Sequence, residues 1–455
     1  MWPFVAVGVV LASTWFVFAT KMRPGYDPYG WLVWGHQTLH LSLNTDGAPS
    51  WKALTFLFTL PFSLAGRGAM WLWMIVAVAG ALSGAVLAAH IAYRLAAPCR
   101  GRRYAAVVGA AFAAIGVLCL DGYSHLVLIA NADPLVVALC LAVIDAHLSG
   151  RPRLAFALLV LTALGRPEAW PFVGLYALWA WRAIPSMRVL LLVGVALIPA
   201  LSFGIPALTS KSWLSAANLD LNSVNALHGN KFTGVIGRFL GLYHLPVWLA
   251  VLVTLILAVA RRDRVALALA GTAFLWVAIE IAFALHGFSA VSRYLIEPAA
   301  VLVALAGAGV GWVLAGTPRI ARVSSGVGVL AVAILGVALV PTLRTQARTL
   351  HGNIDDAHRY AAQDNSLHAV IARDGGAARI RACGQPVTDL GHQSDLAWEI
   401  GLNVGDIGFR PGKAIDSGKP IVFFRMHDNS WQVLPFHLLA SDRATCERLK
   451  TTIAF

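Results

Sequence analysis

Ten acidic residues occur in the first 343 positions, and five of them stand where long apolar stretches break off. Asp27 lies in Gly25-Tyr26-Asp27-Pro28-Tyr29, Asp121 in Leu120-Asp121-Gly122, and Asp133 in Asn131-Ala132-Asp133-Pro134-Leu135. Glu168 ends the break Gly165-Arg166-Pro167-Glu168, and Glu297 follows Ser292-Arg293-Tyr294-Leu295-Ile296. A carboxylate can take a proton from a hydroxyl, and an arginine fork can hold a carboxylate or a phosphate. Ionisable groups beside apolar runs are costly, so each is a site hypothesis by default. Each also has a plainer reading. Asp133 before Pro134, and Asp27 before Pro28, suit helix caps with proline at the first helical position. Arg166 and Glu168 suit an ion pair with each other. Asp121 reads as a solvated loop residue, and Glu280, inside an apolar run, has no assigned role. His125, His228 and His286 read as interfacial polar residues rather than metal ligands. No H-E-x-x-H, paired C-x-x-C, Walker A, Rossmann glycine or G-x-S-x-G spacing occurs. The sequence names no cofactor and leaves divalent-metal dependence open.

The elements that must position these residues are apolar. Of 455 residues, 58% are hydrophobic and 13% charged, with a mean hydropathy of +0.70. Soluble domains carry about 25% charge, and disordered chains are polar and highly charged, so both classes are excluded. A bilayer core takes about 20 apolar residues to cross. Eleven candidate spans stand out, at 1–20, 69–93, 104–120, 133–148, 154–165, 169–182, 189–207, 245–260, 265–285, 297–315 and 325–343. The first lacks a basic n-region and a small-residue cleavage site, so it reads as a retained helix. The fifth and sixth are short, and the break at Arg166-Pro167 between them is tolerated at membrane depth only if buried in protein or lining a cavity.

Residues 1–343 hold 22 basic and 10 acidic residues, against 13 and 12 beyond them. Much of the basic excess sits in short connections: Arg94, Arg100, Arg102 and Arg103; Arg151 and Arg153; Arg182 and Arg188; Arg261, Arg262 and Arg264; Arg319 and Arg322. The positive-inside rule puts these in the cytoplasm. It predicts a multi-pass protein of the plasma membrane, N-terminus cytoplasmic and tail extracytoplasmic, with the five acids near the outer face. The bilayer is then a partner. Nucleic acid is not, because no basic tract or RNA-binding motif occurs.

The outer loop 21–68 predicts helices over 28–43 and 50–65, whose Trp31, Trp34, Trp51 and Phe56 suit headgroup level or a cover over the bundle. Loop 208–244, with Trp213, Asn225, His228 and Lys231, suits a cover over a site. The tail predicts a linker helix around 344–371, a helix over 394–402 and β runs at 420–426 and 431–438. The expected fold is an all-α polytopic membrane bundle over 1–343 with a small α/β extracytoplasmic domain over 344–455. Cys99, Cys119 and Cys140 read as small hydrophobes. Cys383 and Cys446 are the two tail cysteines, and an oxidising outer space predicts a disulfide between them.

Taken in order, Tyr26-Asp27-Pro28-Tyr29, Asn131-Ala132-Asp133-Pro134-Leu135, Gly165-Arg166-Pro167-Glu168-Ala169-Trp170 and Ser292-Arg293-Tyr294-Leu295 resemble the GT-C superfamily of membrane glycosyltransferases. The last two look like the R-P-E/D and R-Y-L pieces of actinobacterial-type arabinosyl- and mannosyltransferases. One departure is that Pro28 follows Asp27, where many members carry a second acid. The resemblance implies transfer of a sugar, arabinofuranose or mannose, from a polyprenyl-phosphate donor to a cell-envelope glycan or lipid on the outer face. It implies Asp27 as general base with Asp133 as the alternative, and Arg293 and Arg166 on the donor phosphate. It implies substrate-orienting roles for Glu168, Asn131, Tyr294 and His228. A transporter or lipid flippase is the alternative; it would show repeat halves with matching broken segments, and a single broken hairpin is visible.

Overall fold

The structure is a computed structural model that describes residues 2–47, 49–97, 103–221, 223, 225–316, 325–428, 430–439, 446, 449 and 452–454. Cys99, Arg100, Arg102, Arg319 and Arg322 lie outside the described residues. The chain runs through α1 (Trp2–Thr20), α2 (Tyr26–Leu39), α3 (Ala53–Phe62), α4 (Ala69–Ala96), α5 (Arg103–Leu118), α6 (Tyr123–Leu128), α7 (Asp133–Leu148), α8 (Pro152–Gly165) and α9 (Trp170–Ala183). It continues through α10 (Arg188–Pro199), α11 (Ile205–Thr209), α12 (Ser215–Leu221), α13 (Lys231–Leu240), α14 (Leu245–Arg261), α15 (Arg264–Leu285), α16 (Ile296–Ala315) and α17 (Ser325–Arg373). The tail adds α18 (Gly376–Cys383), β1 (Gln385–Thr388), α19 (Gln393–Ile400), α20 (Pro411–Asp416), β2 (Ile421–His427), β3 (Ser430–Phe436) and β4 (Thr452–Ala454).

Each of the eleven expected apolar segments is helical. Among the described residues, six helical stretches are long and apolar enough to cross a membrane: Trp2–Thr20, Ala53–Ala96, Pro185–Thr209, Arg264–Leu285, Ser292–Ala315 and Gly326–Arg373. The other segments, α5, α7, α8, α9 and α14, are shorter, at 14–17 residues.

At the centre stands α16, whose residues are all buried except Val313. Small residues let its neighbours close in, as they do between helices in membranes. A Cβ added at Gly109 of α5 would lie 2.2 Å from the Gly307 carbonyl oxygen, and one added at Gly307 would lie 2.4 Å from that of Gly109. Neither position can carry a side chain without the two helices moving apart.

The helices of loop 21–68 form, but α2 is not a surface element. Tyr29, Trp31 and Trp34 are fully buried or nearly so. Trp31 meets Trp73 edge-on at 5.6 Å, and Trp34 packs on Trp51 at 5.2 Å. Covering the bundle outweighs reaching the headgroups, because aromatic rings bury more area against protein than a helix lying on lipid would give them.

The tail is a four-stranded sheet in the order β1-β2-β3-β4. β1 runs parallel to β2, with Val387 opposite Phe423, while β2–β3 and β3–β4 are antiparallel. The last apolar segment and the linker helix are one helix, α17, of 49 residues, so the expected division at 343/344 falls within an unbroken element. The tail docks on α2. Tyr29 Oη donates to Asp364 Oδ1 at 2.9 Å, Arg23 Nε lies 3.3 Å from Asp364 Oδ2, and Asn403 Nδ2 donates to Gln37 Oε1 at 3.1 Å. Cys383 and Cys446 are bonded to each other, with their Cα atoms 5.6 Å apart.

Two outcomes follow. Alkylation of the denatured chain labels two more cysteines after reduction than without reductant; intact mass reads the difference, and no difference contradicts the bridge. Burial pushes the Asp364 carboxyl from 3.8 to about 6, against the pull of Tyr29 and Arg23. The folded state therefore binds this proton more tightly than the unfolded one. The stability it adds is complete below about pH 4 and is lost as pH rises through about 6. Hydrogen exchange along residues 355–370 should accelerate across that window. Asp364→Asn should flatten that part of the profile.

Candidate active site

Pro167 disfavours the α conformation for the residue before it, and α8 ends with Arg166 extended, at φ −144° and ψ 117°. The break turns the guanidinium into the protein, where it is 3% exposed. It donates through Nη2 to Asp133 Oδ1, through Nε to Glu297 Oε1 at 3.3 Å, and to the Arg293 carbonyl at 3.2 Å. The Tyr294 ring stacks under it at 4.3 Å. Asp133 and Glu297 stand in the first turns of α7 and α16, where the helix dipoles favour a carboxylate. Asp133 makes no side-chain cap for α7, and Arg166 does not pair with Glu168. Glu168 instead lines an apolar cavity together with Glu280 of α15.

A second cation group flanks this hub. Arg293 Nη1 lies 3.3 Å from Asp27 Oδ2, and its Nε lies 3.9 Å from Asp133 Oδ2. Its side chain is 32% exposed, so it can meet a ligand. Lys52, just before α3, points its ammonium at Asp133 Oδ1 from 3.8 Å and sits over the Trp31 ring. Burial lowers the Lys52 pKa to about 8 in spite of the Asp133 charge.

Two cavities meet here. One, of about 330 Å³, is mainly apolar, with Phe203, Phe283 and Phe288 on its wall and Lys52, Arg166, Glu168 and Glu280 at its polar end. The other, of about 520 Å³, is polar and lined by Asp27, His125, Asn131 and Arg293 among others. Ser50, Asp220 and Tyr294 line both. Asp220 accepts hydrogen bonds from Ser289 Oγ at 2.6 Å and Tyr294 Oη at 3.1 Å, fastening α12 to the Arg293-Tyr294 segment.

No protein-family model and no curated protein sequence matches the chain. Solved structures do. ArnT from Cupriavidus metallidurans superposes in its apo state with a TM-score of 0.56, and bound to undecaprenyl phosphate with 0.52. Both are 15% identical, and each match covers 94% of this chain and 93% of that one. The chain has a GT-C fold.

Within this GT-C fold, the bundle gathers Asp27, Asp133, Arg166, Glu168, Arg293, Tyr294 and Glu297 at one end. Asn131 is buried beside them, its Oδ1 accepting from the Ala132 amide at 2.7 Å. His228 does not join them. It is exposed and lines neither cavity, because its segment is pinned by backbone contacts instead, such as Leu227 N to the Ser289 carbonyl at 3.2 Å. Asp121 is exposed as a loop residue. Sequence reasoning passed over Lys52 and Asp220. The lysine carries a weak signal in Ser50-Trp51-Lys52-Ala53, a lone cation between aromatic runs, and the aspartate has none beyond its polar loop. Among the described residues, no group of three or more His, Cys, Asp or Glu is arranged to hold a metal ion.

The two arginines should separate by stability. Arg166→Ala strands Asp133 and Glu297 without their buried partner and should cost about 3–5 kcal/mol. Arg293→Ala removes a partly exposed pair and should cost about 1 kcal/mol or less. Thermal unfolding of the purified variants in one detergent reads both, and equal shifts contradict the division.

Proposed function

We propose that the chain is a membrane glycosyltransferase that moves a sugar from a polyprenyl-phosphate donor to a hydroxyl of a cell-envelope glycan or lipid. The observation that carries this reading is the meeting of an apolar and a polar cavity beside Arg293, Lys52 and Asp27. An apolar cavity with cations at its polar end suits a lipid phosphate, and a polar cavity lined by a carboxylate suits an acceptor hydroxyl. The ArnT neighbour bound to undecaprenyl phosphate supports the donor class. The basic short loops support a cytoplasmic N-terminus and an extracytoplasmic tail in the plasma membrane, and the tail disulfide agrees with an oxidising space.

The roles follow from access. Arg293 and Lys52 hold the departing phosphate, Arg293 with a planar fork and Lys52 as a point charge. Arg166 takes a positioning role, because Asp133, Glu297 and the Arg293 carbonyl already surround it. Asp27 lines the polar cavity and accepts the proton as the acceptor oxygen attacks the anomeric carbon. The bond from that carbon to the phosphate oxygen breaks, and the lipid phosphate leaves with the electron pair. Asp133 holds Lys52 and Arg293 in place, and it remains the second candidate for the base. Arabinofuranose and mannose are the sugars to try first, on the R-P-E and R-Y-L resemblance.

The test is transfer by purified membranes from labelled polyprenyl-phosphate arabinofuranose or mannose to extracted envelope acceptors. Asp27→Asn should fold and bind donor yet lose transfer by about 10²–10⁴-fold. Full activity in Asp27→Asn with loss in Asp133→Asn would move the base to Asp133. Full activity in both would remove the mechanism. Arg293→Lys keeps the charge, loses the fork, and should weaken transfer.

A further inference from the structure

Glu168 and Glu280 come from different elements, the turn after Arg166 and the middle of α15, and are 3% and 1% exposed. The Oε2 atom of each has no donor from the protein. Both residues line the apolar cavity. Buried acceptors without a donor are costly, so each calls for an explanation in the site it faces.

The proposed donor has three chemical parts. A prenyl chain offers no hydrogen-bond donors and suits the phenylalanine wall. A phosphate is repelled by carboxyls and goes to Arg293 and Lys52. The sugar is the part whose hydroxyls can donate to an acidic pair. We infer that Glu168 and Glu280 together bind hydroxyl groups of the transferred sugar and so select the donor. This rests on the glycosyltransferase reading above and assigns Glu280, which that reading leaves unused. The pair then holds the sugar on one side while the cations hold its phosphate on the other, leaving the anomeric carbon between them.

The experiment titrates full-length protein in nanodiscs with undecaprenyl phosphate alone and with polyprenyl-phosphate arabinofuranose and mannose. The comparison uses whichever glycosylated lipid the wild type binds more tightly. Glu280→Ala and Glu168→Ala should weaken that lipid about tenfold or more, the scale of hydrogen bonds to charged groups, and leave bare undecaprenyl phosphate within about twofold. Glu280→Gln keeps one acceptor and should recover part of the loss. Binding of the bare lipid doubles as the folding control. Unchanged affinity for the glycosylated lipid, equal weakening of both lipids, or wild type that binds only the bare lipid overturns the inference. Wild type that binds no polyprenyl phosphate overturns the donor reading itself, and the inference falls with it.

Discussion

A guanidinium cannot remain charged inside a helical bundle unless acceptors surround it, since an unpaired buried ion costs several kcal/mol. Arg166 meets that demand with three acceptors from three places: the start of α7, the start of α16 and the carbonyl of Arg293. The ends of three helices are thereby held at fixed distances, because α8 ends at the arginine itself. Gly165 lets α8 close on α7, since a Cβ there would lie 3.0 Å from the Val136 side chain. Breaking the helix at Pro167, burying the charge and assembling the site are one event. The carboxylates gain from it too, because each sits at the positive end of a helix dipole.

This arrangement separates the charges that build the site from those that can serve a ligand. Arg166 is enclosed. Arg293 and Lys52 share the Asp133 carboxylate, yet Arg293 is one-third exposed, and Lys52 lines the apolar cavity. Asp133 therefore works in two directions, balancing the buried arginine through one oxygen and steadying the accessible cations around it. Fixed by their carboxylate partners, Arg293 and Lys52 are already oriented, so an anion bound there would need little reorganisation of them.

The strongest local signals in the sequence correspond to elements of the structure. Apolar length marked the helices, and Arg166-Pro167 marked the break, because proline disfavours the α conformation in its predecessor. The β runs at 420–426 and 431–438 became β2 and β3 for the same kind of local reason. What sequence could not show was which charge met which. Arg166 and Glu168 are near neighbours along the chain, but an extended residue followed by a tight turn sends their side chains to different partners, one toward α7 and α16, the other toward α15. Lys52 stayed hidden because its partner lies 81 positions away and its neighbours are aromatic. The burial of α2 was undecidable as well, since tryptophans suit a membrane surface and a protein interior alike.

The tail is more than an appendage to this site. Its docking surface is α2, and Asp27 stands in the first turn of that helix. Tyr29, two residues on, donates to Asp364 of α17, and Val33, a turn further, belongs to the hydrophobic core of the tail. The other side of α2 is held by Trp31 and Trp34 against the bundle. A helix clamped on both faces has little freedom to rotate, so the Asp27 carboxylate is positioned jointly by the tail and by the bundle. A shift of the tail along α2 would move Asp27 relative to Arg293, to which it is joined across 266 residues of sequence by a single contact of 3.3 Å. The geometry of the proposed base is therefore a property of both parts of the chain, and a truncation that spares every residue of the cavities would still disturb it.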